Sequence, residues 1–374
     1  MKKFILFTVY CLLFTNLFSA FQDIGFSARA EGMGGVYASR GFDSTVLFYN
    51  PAGASFLNYP EASFMFFKPY LGLDGVNWNY YYLSGVYPLS KFNLGTAIGM
   101  YDADSLYSEN IFIFSFSMLK NNLGIGANLK ILTHKYNLDE EFLNEYKSSS
   151  KTAFTLDTGI NYSLKNSIKI GFSLENIIPA DVGLKEEDLV PLILRFGASR
   201  NFNKIWKMDD FLVGTDFVLR DGELSYRFGV EGWFMDLLGA RAGFNDRSLS
   251  FGLSYIFGIG SNELEIVYSF SLPFGIGDNF GSHRIQTVFR FFGKEKEEIE
   301  EEEVEEIEEE EMDEQELKKR YFNRATEYFL DGEYEKAIEY WEKVLEIDPN
   351  HELSKKKIEK ARKLLEEEEF LEEE

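Results

Sequence analysis

The sequence predicts an all-β transmembrane barrel of about 14 antiparallel strands with a small α-helical module behind it. Three observations carry this. Apolar and polar residues alternate with period two from about Ala62 to Phe292. Aromatic residues make up 17% of the 374-residue chain, with 37 Phe and 21 Tyr, beside 31 Gly. Past the N-terminal stretch no apolar run reaches the 18 or more residues a spanning helix needs, so strands must do the crossing.

The chain opens with Lys2 and Lys3, an apolar run from Phe4 to Phe18, and Ser19-Ala20. A basic start, an apolar core and a small residue form the layout of a secretory signal peptide, here residues 1–20. Phe18 stands where a small residue is preferred for cleavage. The alternative, an uncleaved anchor, would need ~20 apolar residues, more than this run holds. Cys11, the only cysteine, lies within it, so residues 21–374 offer no disulfide, thiol nucleophile or thiolate metal ligand.

Residues 21–60 are small and glycine-rich, and include "SARAEGMGGVYASRGFDSTVLFYNPAGAS" from Ser27 to Ser55. Gly32, Gly34 and Gly35 permit left-handed backbone and close approach to a wall. Asn50 and Pro51 preset a turn, and Gly53 is expected to release the chain into the first strand. The segment lacks the Lys-Ser/Thr of a phosphate-binding loop. Lying between leader and first strand, it is expected to start at the periplasmic mouth.

Strands are expected near 61–69, 77–88, 91–102, 108–119, 122–135, 152–164, 166–176, 191–201, 210–220, 223–235, 237–245, 247–257, 263–273 and 282–292. In "AFTLDTGINYSL", Phe154, Leu156, Ile160, Tyr162 and Leu164 share one face, and Thr155, Asp157, Gly159, Asn161 and Ser163 the other. Successive strand side chains point to opposite faces, so one face is oily and one polar. The polar face carries mid-strand charges: Lys130, Asp157, Lys169, Arg195, Asp216, Arg227, Glu231, Arg241, Glu265 and Arg290. A sandwich would bury the oily face, whereas a barrel turns it to lipid and points the charges into the lumen.

Long connections follow the fifth, seventh and thirteenth strands, and short ones the second, fourth and sixth. Short periplasmic turns and long external loops are the outer-membrane pattern. "NKIWKMDD" after the eighth strand is the exception. An even count returns both ends of the barrel, residues 61–292, to the periplasmic side. The last strand closes on Phe291-Phe292, like the aromatic-ended strand read by barrel-assembly machinery.

Residues 293–374 carry 33 acidic and 14 basic side chains, most of the chain's net −24. Such a tail repels phosphates, so no nucleic-acid partner is expected. Residues 293–316, 16 of 24 acidic, read as an extended linker, with a cation sink or docking strip as the other reading. Residues 317–370 read as a helical module. "KKRYFNRATEYFLDGEYEKAIEYWEKVLEIDPNH" resembles one tetratricopeptide repeat. Tyr321, Ala325 and Tyr328 fall on its first helix and Gly332 in the turn. Tyr334, Ala337, Trp341 and Val344 fall on the second, which Pro349 closes. Arg324 stands where the family usually has Leu, and "SKKKIEKARKLLEEEE" reads as a solvating third helix. One repeat buries its apolar face poorly, so a second copy or a periplasmic protein is expected to cover it, with Trp341 in the contact.

The pattern "ARAEGMGGVYAS…DSTVLFYNPAGAS" resembles the N-terminal signature of the FadL-like outer-membrane family, and within it the PorV/PorQ-type branch. The resemblance covers residues 27–292 with the strand count. It implies a fourteen-stranded barrel plugged by the N-terminal segment. It also implies passage of hydrophobic small molecules or, for the PorV/PorQ branch, protein cargo handed to a type IX-like secretion system. A barrel that only anchors the tail is the competing reading. No catalytic, cofactor or metal residues are assigned: His134, His283 and His351 are scattered, and no Ser/His/Asp spacing is recognisable. Outer-membrane lipid is the expected surrounding.

Overall fold

The computed structural model describes residues 20–73, 77–104, 106–137, 148–277, 279–292, 314–330 and 332–372. The expected leader, up to residue 19, and residues 293–313 of the acidic linker lie outside them. The chain forms two compact units, Met1–Gly293 and Lys294–Glu374.

The first unit is a closed antiparallel barrel of fourteen strands. They are β1 (Glu61–Lys68), β2 (Trp78–Pro88), β3 (Asn93–Ala103), β4 (Tyr107–Lys120), β5 (Leu123–Tyr136), β6 (Ser150–Ser163) and β7 (Ile168–Glu175). There follow β8 (Ile193–Ile205), β9 (Met208–Arg220), β10 (Glu223–Phe234), β11 (Leu238–Asn245), β12 (Ser248–Ile259), β13 (Asn262–Pro273) and β14 (Ser282–Arg290). Each pairs with its chain neighbours, and β1 closes on β14 with Glu61 opposite Arg290. The barrel proper therefore begins and ends at one rim.

That near rim holds the connections 89–92, 121–122, 164–167, 206–207, 235–237 and 260–261. The strand ends that the long connections 69–77, 137–149, 176–192 and 274–281 join all lie at the far rim. The apparent exception disappears. "NKIWKMDD" is no loop: β8 runs to Ile205, β9 resumes at Met208, and Ile205 pairs with Met208 across Trp206-Lys207. The polar residues there had the composition of a loop, yet they extend the ladder beyond the apolar belt.

The alternation resolves as expected. Phe154 is 58% exposed while Thr155 beside it is fully buried. Leu249, Phe251, Leu253, Tyr255 and Phe257 likewise face out from β12, with Ser250 and Ser254 inside. Such contiguous exposed apolar rows, wrapped around a polar interior, reverse the usual order of a water-soluble domain.

The wall is uneven at one place. β6 pairs with β7 only from Thr158 to Ser163. Nearer the far rim its edge meets the connection 176–192, where Ile177 N donates to Leu156 O (2.9 Å) and Thr155 Oγ1 to Ile178 O (2.8 Å). Within that connection, Ala180–Asp181 and Leu189–Val190 form a two-stranded sheet.

The second unit contains α-helices Glu314–Leu330, Tyr334–Ile347 and Glu352–Glu372. Gly332 turns the chain between the first two at φ +85°. Ala325 and Ala337 are fully buried and let these helices approach. Asp348 accepts from Lys318 Nζ at 3.1 Å and joins the two ends of the pair. Among the described residues, no helix is long and apolar enough to cross a membrane.

Candidate functional site

The candidate site is the barrel interior, which residues 20–57 fill. A short helix, α1 (Ala28–Gly32), and the 3-10 helices Ser44–Phe48 and Pro51–Phe56 lie there, almost wholly buried. Each starts on a polar cap: Ser27 Oγ accepts from Ala30 N, Asp43 Oδ1 from Thr45 N, and Asn50 Oδ1 from Ala52 N. Pro51 sits at the first helical position, where its missing N–H would have no partner anyway.

The segment does not start where the sequence suggested. Its first residues lie at the far rim, among the ends of strands that begin there. Phe21 N donates to Glu109 Oε1 on β4 at 3.0 Å. Asp23 pairs with Arg227 at 2.7 Å and Arg195 at 3.2 Å. Ile24 O accepts from Arg284 Nη2 at 2.8 Å. Only its end reaches the near rim, where Asn93 Nδ2 donates to Ala54 O and Leu57 O (2.7 and 2.8 Å). The segment thus traverses the lumen from the far mouth to the start of β1. Sequence position alone could not show this, because the deciding contacts join residues 88 to 260 positions apart.

The inward charges clamp this segment. Arg29 makes a two-pronged bond to Glu231 (2.8 and 2.5 Å), which Arg241 also meets. Arg241 approaches Glu265 at 3.5 Å, Glu265 bonds Arg290 at 2.5 Å, and Arg290 lies 3.4 Å from Glu61. Glu61 accepts from Ser44 N, so this alternating ladder begins and ends on the segment. Asp216 accepts from Tyr37 N and Ala38 N, both at 2.8 Å. Lys130 pairs with Asp157 at 3.0 Å, and the Lys169 ammonium sits 4.4 Å from the centre of the Phe56 ring.

The glycines explain how backbone lies against wall. At Gly34, φ is +70° and a Cβ would lie 2.6 Å from Phe244 N. Gly35, at φ +91°, faces the Arg227 side chain, and Gly32 lies against Gly252 Cα at 3.0 Å for a built Cβ. Gly53 is not the release point into β1. It sits inside the second 3-10 helix against Val46 and Gly41. The wall contributes glycines of its own: a Cβ at Gly126 would meet Pro51, at Gly159 Asn50, at Gly171 Ala38, and at Gly229 or Gly243 Met33. These were missed in the sequence, although they fall on the polar side of the alternation, where the lack of a side chain was the available signal.

A small cavity of about 30 Å³ lies towards the far rim. Phe26, Phe48, Ile113 and Leu132 line it beside Asp23, Lys130 and Glu175. Phe21 packs there with Leu132, Ala153, Ala180, Val182 and Val190, so the connection 176–192 covers Phe21.

Comparison with known proteins fits this geometry. A solved structure titled CymD monoaromatic hydrocarbon channel matches at TM-score 0.52 and 14% identity, over 72% of this chain and 97% of that one. A TodX deltaS2S3 mutant monoaromatic hydrocarbon channel matches at TM-score 0.51 and 14% identity, over 71% and 98%. A Pseudomonas aeruginosa FadL homologue matches at TM-score 0.43 and 12% identity, over 70% and 95%. The barrel shares its fold with the first two of these structures. Residues 319–351 match the tetratricopeptide repeat. No curated protein matches the sequence.

Within the repeat, Tyr321, Ala325 and Tyr328 lie on the first helix, Tyr334, Ala337 and Trp341 on the second, and Pro349 follows the cap Asp348. Trp341 is not a contact surface. It is fully buried, packed with Phe329, Ile358 and Ala361, because the third helix covers the face expected to stand open. Arg324 instead stacks on the Tyr340 ring, 5.6 Å from its centre. His134 lies among the Tyr107 and Tyr136 rings, His283 bonds Tyr268, and His351 bonds Ser354. Among the described residues, no group of His, Cys, Asp and Glu is placed to hold a metal ion.

Proposed function

We propose that this protein is a FadL-like outer-membrane barrel that passes small hydrophobic molecules and is held shut by residues 21–60 acting as a plug. The observation behind this reading is a closed cylinder, apolar outside, whose lumen is filled by a segment of its own chain held through glycine contacts and ion pairs. The apolar rows suit lipid, and paired charges inside suit a sealed interior. The segment runs through the lumen from one mouth to the other, so on this reading passage requires the plug to shift. Gly32, Gly34, Gly35, Asn50, Pro51 and Gly53 are its seating residues.

In planar bilayers, a chain lacking residues 21–58 should conduct more than the full-length barrel. Equal conductance would leave the segment as structure only.

The near rim then faces the periplasm and carries the tail, with residues 293–316 as spacer and 317–370 as a docking module for a periplasmic protein or a second copy. This module and the "MGG…NPAG" pattern favour a second reading, a PorV/PorQ-type role holding exported protein for type IX-like secretion. Cross-linking from the tail in outer membranes separates the two: secretion machinery or cargo should be captured under the second reading and be absent under the first.

A further inference from the structure

We propose that the leader is cut between Ala20 and Phe21, and that the new Phe21 ammonium forms a part-buried ion pair with Glu109 that fixes the start of the lumen segment. The inference rests on reading residues 1–20 as a leader. Its carrying observation is independent of that reading: Phe21 N already lies 3.0 Å from Glu109 Oε1.

Glu109 is placed to take such a cation. It sits on β4, close to where that strand leaves the far rim, and the same oxygen accepts from Tyr107 Oη at 2.7 Å. Among the described residues, no Lys or Arg is placed in an ion pair with it, whereas Asp23, Glu175, Glu231 and Glu265 have theirs. A carboxylate partly withdrawn from water gains more from an ammonium than from an amide N–H, which supplies a dipole only.

The backbone points the same way. Phe21 has φ +58°, the left-handed region that a bulky residue avoids. That strain arises from the preceding carbonyl. Hydrolysis removes it: one water is consumed, the Ala20–Phe21 C–N bond breaks, Ala20 leaves as a carboxylate and Phe21 N becomes an ammonium. The agent is a leader peptidase of the secretory route. Phe21 keeps its ring in the apolar cluster of Leu132, Ala180, Val182 and Val190. The small Ala20 is the residue such peptidases favour next to the cut.

Two measurements test this. N-terminal sequencing of protein purified from outer membranes should read Phe-Gln-Asp-Ile. Any other first residue overturns the assignment, and an intact Met1 would also sink the leader. Acylation of the native amine by a succinimidyl ester, read by peptide mass, should be at least tenfold slower than in urea. It should approach the urea rate in Glu109→Gln and lie between in Glu109→Asp, with unheated gel mobility confirming barrels. Native labelling as fast as in urea, or unchanged protection in both variants, overturns the ion pair. If Glu109→Gln does not assemble, the wild-type and Glu109→Asp rates decide.

Discussion

Gly34→Ala should loosen the lumen segment without opening the barrel. A Cβ at this position would lie 2.6 Å from Phe244 N, 2.7 Å from Phe244 O and 2.9 Å from Phe228 O, all of them wall backbone. The φ of +70° adds about 1–2 kcal/mol for any residue with a Cβ. Forcing a methyl into packed surroundings adds roughly 1–3 kcal/mol. Together these favour the displaced segment by about 2–5 kcal/mol, or about 30- to 4,000-fold at one decade per 1.4 kcal/mol. Arg29 and Arg40 are the basic residues of this segment, so trypsin in mild detergent reads its exposure. Cleavage there should accelerate within that range while unheated gel mobility stays that of a folded barrel. Gly258→Ala on β12, with nothing within 4 Å of a built Cβ, is the control; it should shift stability by less than about 0.5 kcal/mol. Equal protection of Gly34→Ala and the control would refute the close-seating argument.

Glu231→Ala strands Arg29 and Arg241 without their shared carboxylate. Breaking a buried pair is worth about 3–5 kcal/mol, so single-channel recordings should show openings the parent lacks, and a silent trace would count against the clamp. Trp341→Ala should destabilise the helical unit by roughly 3–5 kcal/mol, seen as faster proteolysis after residue 314 with the barrel unaffected; retained protection would mean the third helix does not depend on this ring. The Asp348 carboxyl is held below its usual value by the hydrogen bond from Lys318. The contribution is therefore present above the unfolded value of about 3.9 and lost as pH falls through the folded one. Asp348→Asn should lower helical-unit stability slightly at pH 7 and make no difference near pH 2; a penalty independent of pH would remove the charge from the explanation.

The barrel was legible because its signal is local. Period two assigns every side chain to a face, and rows such as Phe154 to Leu164 need no distant information. The hairpin at Trp206-Lys207 was hidden because strand ends beyond the apolar belt lose that alternation and take on loop composition. The path of the lumen segment was not legible, since partners such as Glu109 and Arg284 are chosen by closure of the whole cylinder. The seating glycines were half legible: those of the segment drew notice as a cluster, while Gly126, Gly171 and Gly243 are scattered over three strands and meet only in space. In the helical unit the repeat pattern located both helices, but the fate of Trp341 depended on Ile358 and Ala361 in a third helix that charge alone had marked as solvated.

Because Phe21 lies at the mouth opposite the rim where Arg290 ends, the two ends of this unit differ for anyone attaching something to them. A fusion joined ahead of Phe21 must emerge through the opening that 176–192 covers, or keep the segment from docking. One joined after Phe292 leaves from the other side unhindered by that cover. Epitopes intended for display and handles intended for purification are therefore not interchangeable between the termini.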